Sequence, residues 1–266
     1  MRRLLRRYAR LLAVQLRTSF TLAVQYRFDF FIEGALALLW LGITLVPLLV
    51  VYARRTTVAG WSYPEALVVV GLFSVLKAVL DGAITPSLNH VVDGIRKGTL
   101  DFILLKPADA QFLVSTARFE PWRSTNVVTA VVLWVVAFGR MGRFPSLPGS
   151  FAAVLLLVVA TSLLYSLWIL TVSAAFYVVR IDNLTNLFNS IFDAARWPVQ
   201  IFRGLMRWVF TFIVPLALMT TFPAEAMLGR LPLTALAWSV VGAGAFGWLS
   251  RRVWLSSIAR YTSASS

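Results

Sequence analysis

The chain has no cysteine and only one histidine, His90, among its 266 residues. Disulfides, thiol nucleophiles and thiolate metal sites are thereby excluded, and a lone imidazole argues against a transition-metal centre, so no metal ligand is assigned. Acidic side chains are also scarce, with 11 Asp and Glu against 25 Lys and Arg, a formal net charge of +14. No segment carries the G-x-x-x-x-G-K-[ST] phosphate cradle: Gly139-Arg140-Met141-Gly142 lacks both the lysine and the hydroxyl, so the chain cannot hydrolyse ATP through a P-loop. Neither Ser74 nor Ser87 sits in a G-x-S-x-G elbow, and His90 stands at a helix exit beside Asn89. No catalytic residue is therefore assigned, and an intramembrane Ser-His hydrolase is disfavoured. The N-terminal MRRLLRRYARLLAVQL lacks a compact apolar core with a small-residue cleavage site, and no removable signal peptide is expected.

What is present is apolar surface. Hydrophobic residues make up 59% of the chain and charged ones 14%, with a mean hydropathy of +0.78. One soluble core could not hide that much, so the composition predicts an all-α, polytopic membrane protein. The arginines flank hydrophobic blocks instead of forming a polar domain interleaved with aromatics, which makes anionic lipid headgroups, not nucleic acid, the expected counter-charge.

Along the chain, Arg2, Arg3, Arg6, Arg7, Arg10 and Arg17 alternate with Leu4, Leu5, Tyr8, Leu11, Leu12 and Leu16 at helical spacing. Residues 1–27 therefore read as an amphipathic helix lying in the membrane interface. Residues 28–254 read as a transmembrane domain and 255–266 as a polar cytoplasmic tail. The first span runs from about Phe28 to Val51, the second from Pro64 to about Leu88 with a bend at Gly82 and Pro86, and the third from near Gln111 to Phe138. Arg118, Glu120 and Arg123 make the first half of the third span polar enough to need shielding by protein. The fourth runs from Phe151 to about Val179 after a turn-rich loop, Gly139 to Ser150, and the last from about Pro232 to Ser250. Two placements of the fifth remain open. Hydropathy alone selects Met206 to Phe222 and leaves Leu184 to Trp197 as a cytoplasmic element; alternatively Leu184 to Trp197 crosses inside the bundle, and the segment broken at Pro215 and Pro223 does not.

Either placement gives six spans with both termini on one side. Under that topology the N-terminal arginines, Arg96, Lys97, Lys106, Arg180, Arg251, Arg252 and Arg260 share one side, against Arg54, Arg55, Arg140, Arg143, Arg203, Arg207 and Arg230 on the other. The bias places the termini in the cytoplasm.

Between the second and third spans, Asn89 to Asp109 interrupts the apolar chain. Asp93-Gly94 is expected to break the preceding helix, Gly98-Thr99 offers a turn and cap, and Leu100 to Leu105 form a short apolar run stopped by Lys106-Pro107. So short a run cannot cross a bilayer and reads as a partner contact.

The stretch I-R-K-G-T-L-D-F-I-L-L-K-P at Ile95 to Pro107 resembles the loop of ABC type-2 exporter permeases, and T-T-F-P-A-E-A-M-L-G at Thr220 to Gly229 resembles their outer segment. The resemblance covers nearly the whole chain. It implies a six-helix permease with an N-terminal interfacial helix and a re-entrant outer hairpin at 198–231, carrying Pro215, Pro223 and Glu225, and it favours the crossing at Leu184 to Trp197. It implies that the loop at 89–109 docks into a separate ATP-binding-cassette ATPase subunit, with Ile95, Arg96, Gly98, Leu100, Asp101, Phe102, Leu105, Lys106 and Pro107 as the contact. Further implications are a second permease, identical or related, surrounding lipids, a bacterial inner-membrane location, and no cofactor in this chain, ATP and Mg belonging to the partner.

Four charged residues stand at membrane depth. Lys77 and Asp81 are four apart and share a helix face, and Asp193 and Arg196 are three apart. As candidates for the translocation path they compete with a reading as structural ion pairs, which the nearby Trp197-Pro198 favours for the second pair. An ion-coupled secondary carrier using Lys77 and Asp81 would predict repeated halves with matching broken helices, which the sequence lacks. A non-transporting membrane scaffold is the other alternative.

Overall fold

The computed structural model describes residues 2–25, 27–177 and 189–261. Helix α1 (Arg2–Gln25) leads into α2 (Arg27–Arg54), which contains Pro47 and leaves Leu38, Leu39, Trp40 and Val46 exposed on its outside. Polar groups on one side of α1 bind the chain beyond the loop. Tyr8 Oη accepts from the Asp109 N–H at 3.1 Å, Gln15 Oε1 accepts from the Thr116 hydroxyl at 2.6 Å, and Ser19 Oγ accepts from the Phe119 N–H at 3.1 Å.

A two-residue ribbon, β1 (Thr57–Val58) paired with β2 (Trp61–Ser62), turns through Ala59 and Gly60, both at positive φ. Positive φ at both central residues gives the turn the twist that adjacent antiparallel strands require. Pro64 sits in the first turn of α3 (Tyr63–Val79), where its missing N–H costs nothing, and Glu65 Oε2 accepts from the Ser62 N–H at 2.9 Å.

Helix α3 is the axis of the bundle. Every residue from Ala66 to Leu72 is buried, so α3 is enclosed on all sides instead of showing one face to a core. Gly71 permits the closest approach: a Cβ there would lie 2.4 Å from Nε1 of Trp134, whose indole donates to the Val68 carbonyl at 3.2 Å.

The same rod continues through a widened π-helical turn, Leu80–Ile84, into α4 (Thr85–Arg96). Sequence chemistry explains the irregularity. Pro86 has no N–H, so the Gly82 carbonyl four residues earlier loses its helical donor. The Glu120 N–H replaces it at 2.7 Å, while Ser87 Oγ donates to the Arg118 carbonyl at 2.6 Å and accepts the Arg118 N–H at 3.1 Å.

Two short helices follow, α5 (Asp101–Leu104) and α6 (Ala110–Ser115), then a single turn at Pro121–Ser124 and helix α7 (Thr125–Met141), which ends at left-handed Gly142. Helix α8 (Leu147–Ser173) starts at Ser146, whose hydroxyl accepts from the Gly149 N–H at 3.1 Å. Beyond 188 come short turns at Asp193–Arg196 and Val199–Ile201, then α9 (Gly204–Trp208), α10 (Phe222–Met227) and α11 (Leu233–Ala259). The main core gathers Leu76, Leu80, Leu88 and Leu100 with Leu163, Trp168, Phe192, Met219 and Trp254.

The all-α, multi-span expectation stands, and several boundaries are corrected. Among the described residues, five helices are long and apolar enough to cross a membrane: Gly34–Arg54, Tyr63–Arg96, Pro121–Met141, Leu147–Phe176 and Leu233–Ala259. Met206 to Phe222 is not one continuous helix: it breaks at Val214-Pro215 between two short segments. The alternative crossing at 184–197 falls partly outside the described residues. Asp93-Gly94 does not break the second span, because an interior glycine costs only about 1 kcal/mol. The stop comes at Gly98 (φ 68°), where the Gly98 N–H binds the Ile95 carbonyl and the Thr99 N–H binds the Gly94 carbonyl at 2.9 Å. Likewise the third span starts irregularly and becomes helical only from Pro121, the loop before the fourth shrinks to about Gly142–Ser146, and the last helix runs past Arg251-Arg252 to Ala259.

Candidate functional site

The four charged candidates from two distant parts of the chain meet. Lys77 Nζ lies 3.5 Å from Asp81 and 4.0 Å from Asp193, and Asp193 lies 3.2 Å from an Arg196 guanidinium nitrogen. Arg196 also stacks over the Phe73 ring at 5.7 Å, which fixes a planar cation against an aromatic face. Compensated in this way, charges can persist at membrane depth, where isolated ones are costly. They border a cavity of about 480 Å³, within the range of small-molecule sites. Leu36, Trp40, Ile43 and Val70 give it an apolar wall, and Ser74, Thr125, Asn126 and Thr129 add neutral polar groups. Arg123 also faces it, held 3.4 Å from Glu120.

The second candidate, the loop, sits at the far end of the helix that carries Lys77 and Asp81. Phe102 is 71% and Leu105 81% exposed, and Arg96, Lys106 and Pro107 are exposed beside them. Ile95, Gly98 and Asp101 are intermediate. Leu100 is different: it is fully buried in the main core, and its N–H binds the Gly94 carbonyl at 3.2 Å. The expectation that Leu100 belongs to the contact surface is corrected on that ground. Its role is to anchor the turn that presents Phe102 and Leu105.

A family model described as ABC-2 family transporter protein matches residues 38–265. The chain belongs to the ABC-2 transporter family. It is therefore the membrane permease component of an ABC transporter. No curated protein and no solved structure gives a match. Helix α1 lies before the matched region.

In this ABC-2 permease each end of the bundle is tied by an arginine–carboxylate cluster that the sequence reading did not identify. At the hairpin end Glu65 is 5% exposed and pairs with both Arg143, at 3.4 Å, and Arg230. One carboxylate thereby joins the start of α3, the α7–α8 turn and the link into α11. Of the residues named from the sequence at 198–231, Pro223 and Glu225 stand on α10, shortly before Arg230, while the neighbours of Pro215 pack into the main core. Pro215 lies at the break between the two short segments, Pro223 in the first turn of α10, and Glu225 accepts from Gln200 Nε2 at 2.8 Å. The Ser62-x-x-Glu65 spacing was the available signal for this cluster, since it marks a helix start whose carboxylate turns back toward the cap.

At the loop end Arg251 of α11 binds Asp109 and donates to Gln111 Oε1 at 2.7 Å. Asp109 also caps α6, accepting the Phe112 N–H at 3.0 Å. Burial pushes the Asp109 carboxyl up, but the Arg251 guanidinium and the Phe112 N–H outweigh it and hold it below the usual carboxylate range. Gln111 and Ser115 both bond Tyr165 of α8, at 2.9 and 2.6 Å, so the loop exit is fastened to two long helices.

Proposed function

We propose that this permease is the transmembrane subunit of an ATP-driven exporter, with the cavity around Lys77, Asp81, Asp193 and Arg196 as part of the translocation path. It works with a second permease, identical or related, and with a separate ATP-binding-cassette ATPase that docks on Phe102 and Leu105. The observation that carries this reading is the exposure of two large apolar side chains at the tip of the rod that also holds Lys77 and Asp81. Motion imposed on the tip by a closing ATPase travels along one helix to the cavity. Both termini and the loop lie on the cytoplasmic side of a bacterial inner membrane, as the positive charge around them supports. The hairpin at 198–231 then lies at the outer end.

Phe102→Asp combined with Leu105→Asp tests the docking. Burying two carboxylates in an apolar groove carries a desolvation cost that a solvent-facing loop would not register. The double variant is expected to reach the membrane and to lose co-purification with the ATPase subunit expressed beside it. Undiminished co-purification would sink the reading.

A further inference from the structure

The cavity also indicates what kind of molecule it takes, an inference that rests on its role in the translocation path. Its charges form an alternating row. Asp81, Lys77, Asp193 and Arg196 follow one another at 3.5, 4.0 and 3.2 Å, and Arg123 faces the same space. Among the lining residues, the cations Lys77, Arg123 and Arg196 stand against the carboxylates Asp81 and Asp193. Glu120, the carboxylate beside Arg123, does not line the cavity. Arg196 ends the row over the Phe73 ring, its Nε donating to the Asp193 carbonyl at 2.7 Å and one Nη paired with the Asp193 carboxylate, and its guanidinium carries a permanent charge beside the cavity. Leu36, Trp40 and Ile43 of α2 add a wall that can cover an apolar body.

We propose that the cavity binds an amphipathic organic anion, its carboxylate, sulfonate or phosphate at Arg196 and Lys77 and its apolar body against Trp40. An amphipathic cation is the alternative: its partners would be Asp81 and Asp193, both already paired with Lys77, and the ring face of Trp40.

The test measures saturable binding of 1-naphthalenesulfonate and of 1-naphthyltrimethylammonium to the full chain in nanodiscs, with empty nanodiscs subtracted. The sulfonate is expected to bind at least about tenfold more tightly. Arg196→Gln should weaken sulfonate binding about tenfold or more, as expected for a lost charged hydrogen bond, and Asp193→Asn should strengthen it. Thermal unfolding checks that each variant is folded, and the opposite signs keep the test decisive if one of them is not. Tighter binding of the ammonium, equal binding of both probes, no saturable binding, or sulfonate affinity unmoved by either substitution would each overturn the proposal. No ATPase is present in this assay, so its failure leaves docking at Phe102 and Leu105 untouched, and failed docking leaves this result standing.

Discussion

The two ends of the bundle are tied by the same chemistry in different surroundings. At the hairpin end the Glu65 carboxylate side chain is only 6% exposed and meets two arginines, whereas at the loop end Asp109 is 35% and Arg251 40% exposed. A pair within reach of water exchanges its partner for solvent at little cost, and a buried carboxylate cannot. The tie at the hairpin end is thus the costlier of the two to open. That asymmetry suits a machine driven from the loop.

Removing the partners of Glu65 should give the largest effect. Arg143→Ala with Arg230→Ala leaves the carboxylate without either arginine, held by Ser62, and the expected loss is about 3 kcal/mol of stability, read as a lower unfolding temperature in nanodiscs. A loss no greater than that of the loop-end variant would erase the contrast between the ends.

Breaking the loop-end pair should cost less. Arg251→Gln is expected to lower stability by about 0.5 kcal/mol at neutral pH. Because the native Asp109 carboxyl titrates below its unfolded value, its contribution is complete above about pH 4 and is lost as pH falls through the depressed value. The wild type should therefore lose more stability than Arg251→Gln on acidification below about pH 4; parallel acid limbs for the two proteins would show that the pair does not set this dependence. Smallest of all is the expected stability change for the Phe102→Asp, Leu105→Asp variant, close to zero, because both side chains already face outward. A marked drop in its unfolding temperature would mean that the tip belongs to the fold and is not free for a partner.

Much of this could be read from the sequence, for identifiable reasons. Hydrophobic composition and run length alone carry the multi-span helical class, and the spacing of Lys77 with Asp81 and of Asp193 with Arg196 carries each local pair. That the pairs meet depends on the packing of α3 against the turn at Asp193–Arg196, which no local pattern encodes. Leu100 was misplaced for a related reason. An apolar run in a loop shows which residues avoid water but not which of them avoid it by folding back onto their own chain. Glu65 was missed because a charge at a helix start looks like an ordinary cap until the arginines of two distant turns are seen to reach it.

The widened turn at Leu80–Ile84 also sets the phase of the rod. Leu76, Leu80, Ile84, Leu88 and Val92 are all buried, each four residues after the last. A regular helix turns about 100° per residue, so positions four apart drift around it, and by Val92 the stripe would have wandered about 160° from its starting line. The extra residue in the π turn takes back about 100° of that drift. About 60° of drift then remains over the whole stretch, so the apolar seam keeps to one side of the rod from the level of Lys77 toward the tip.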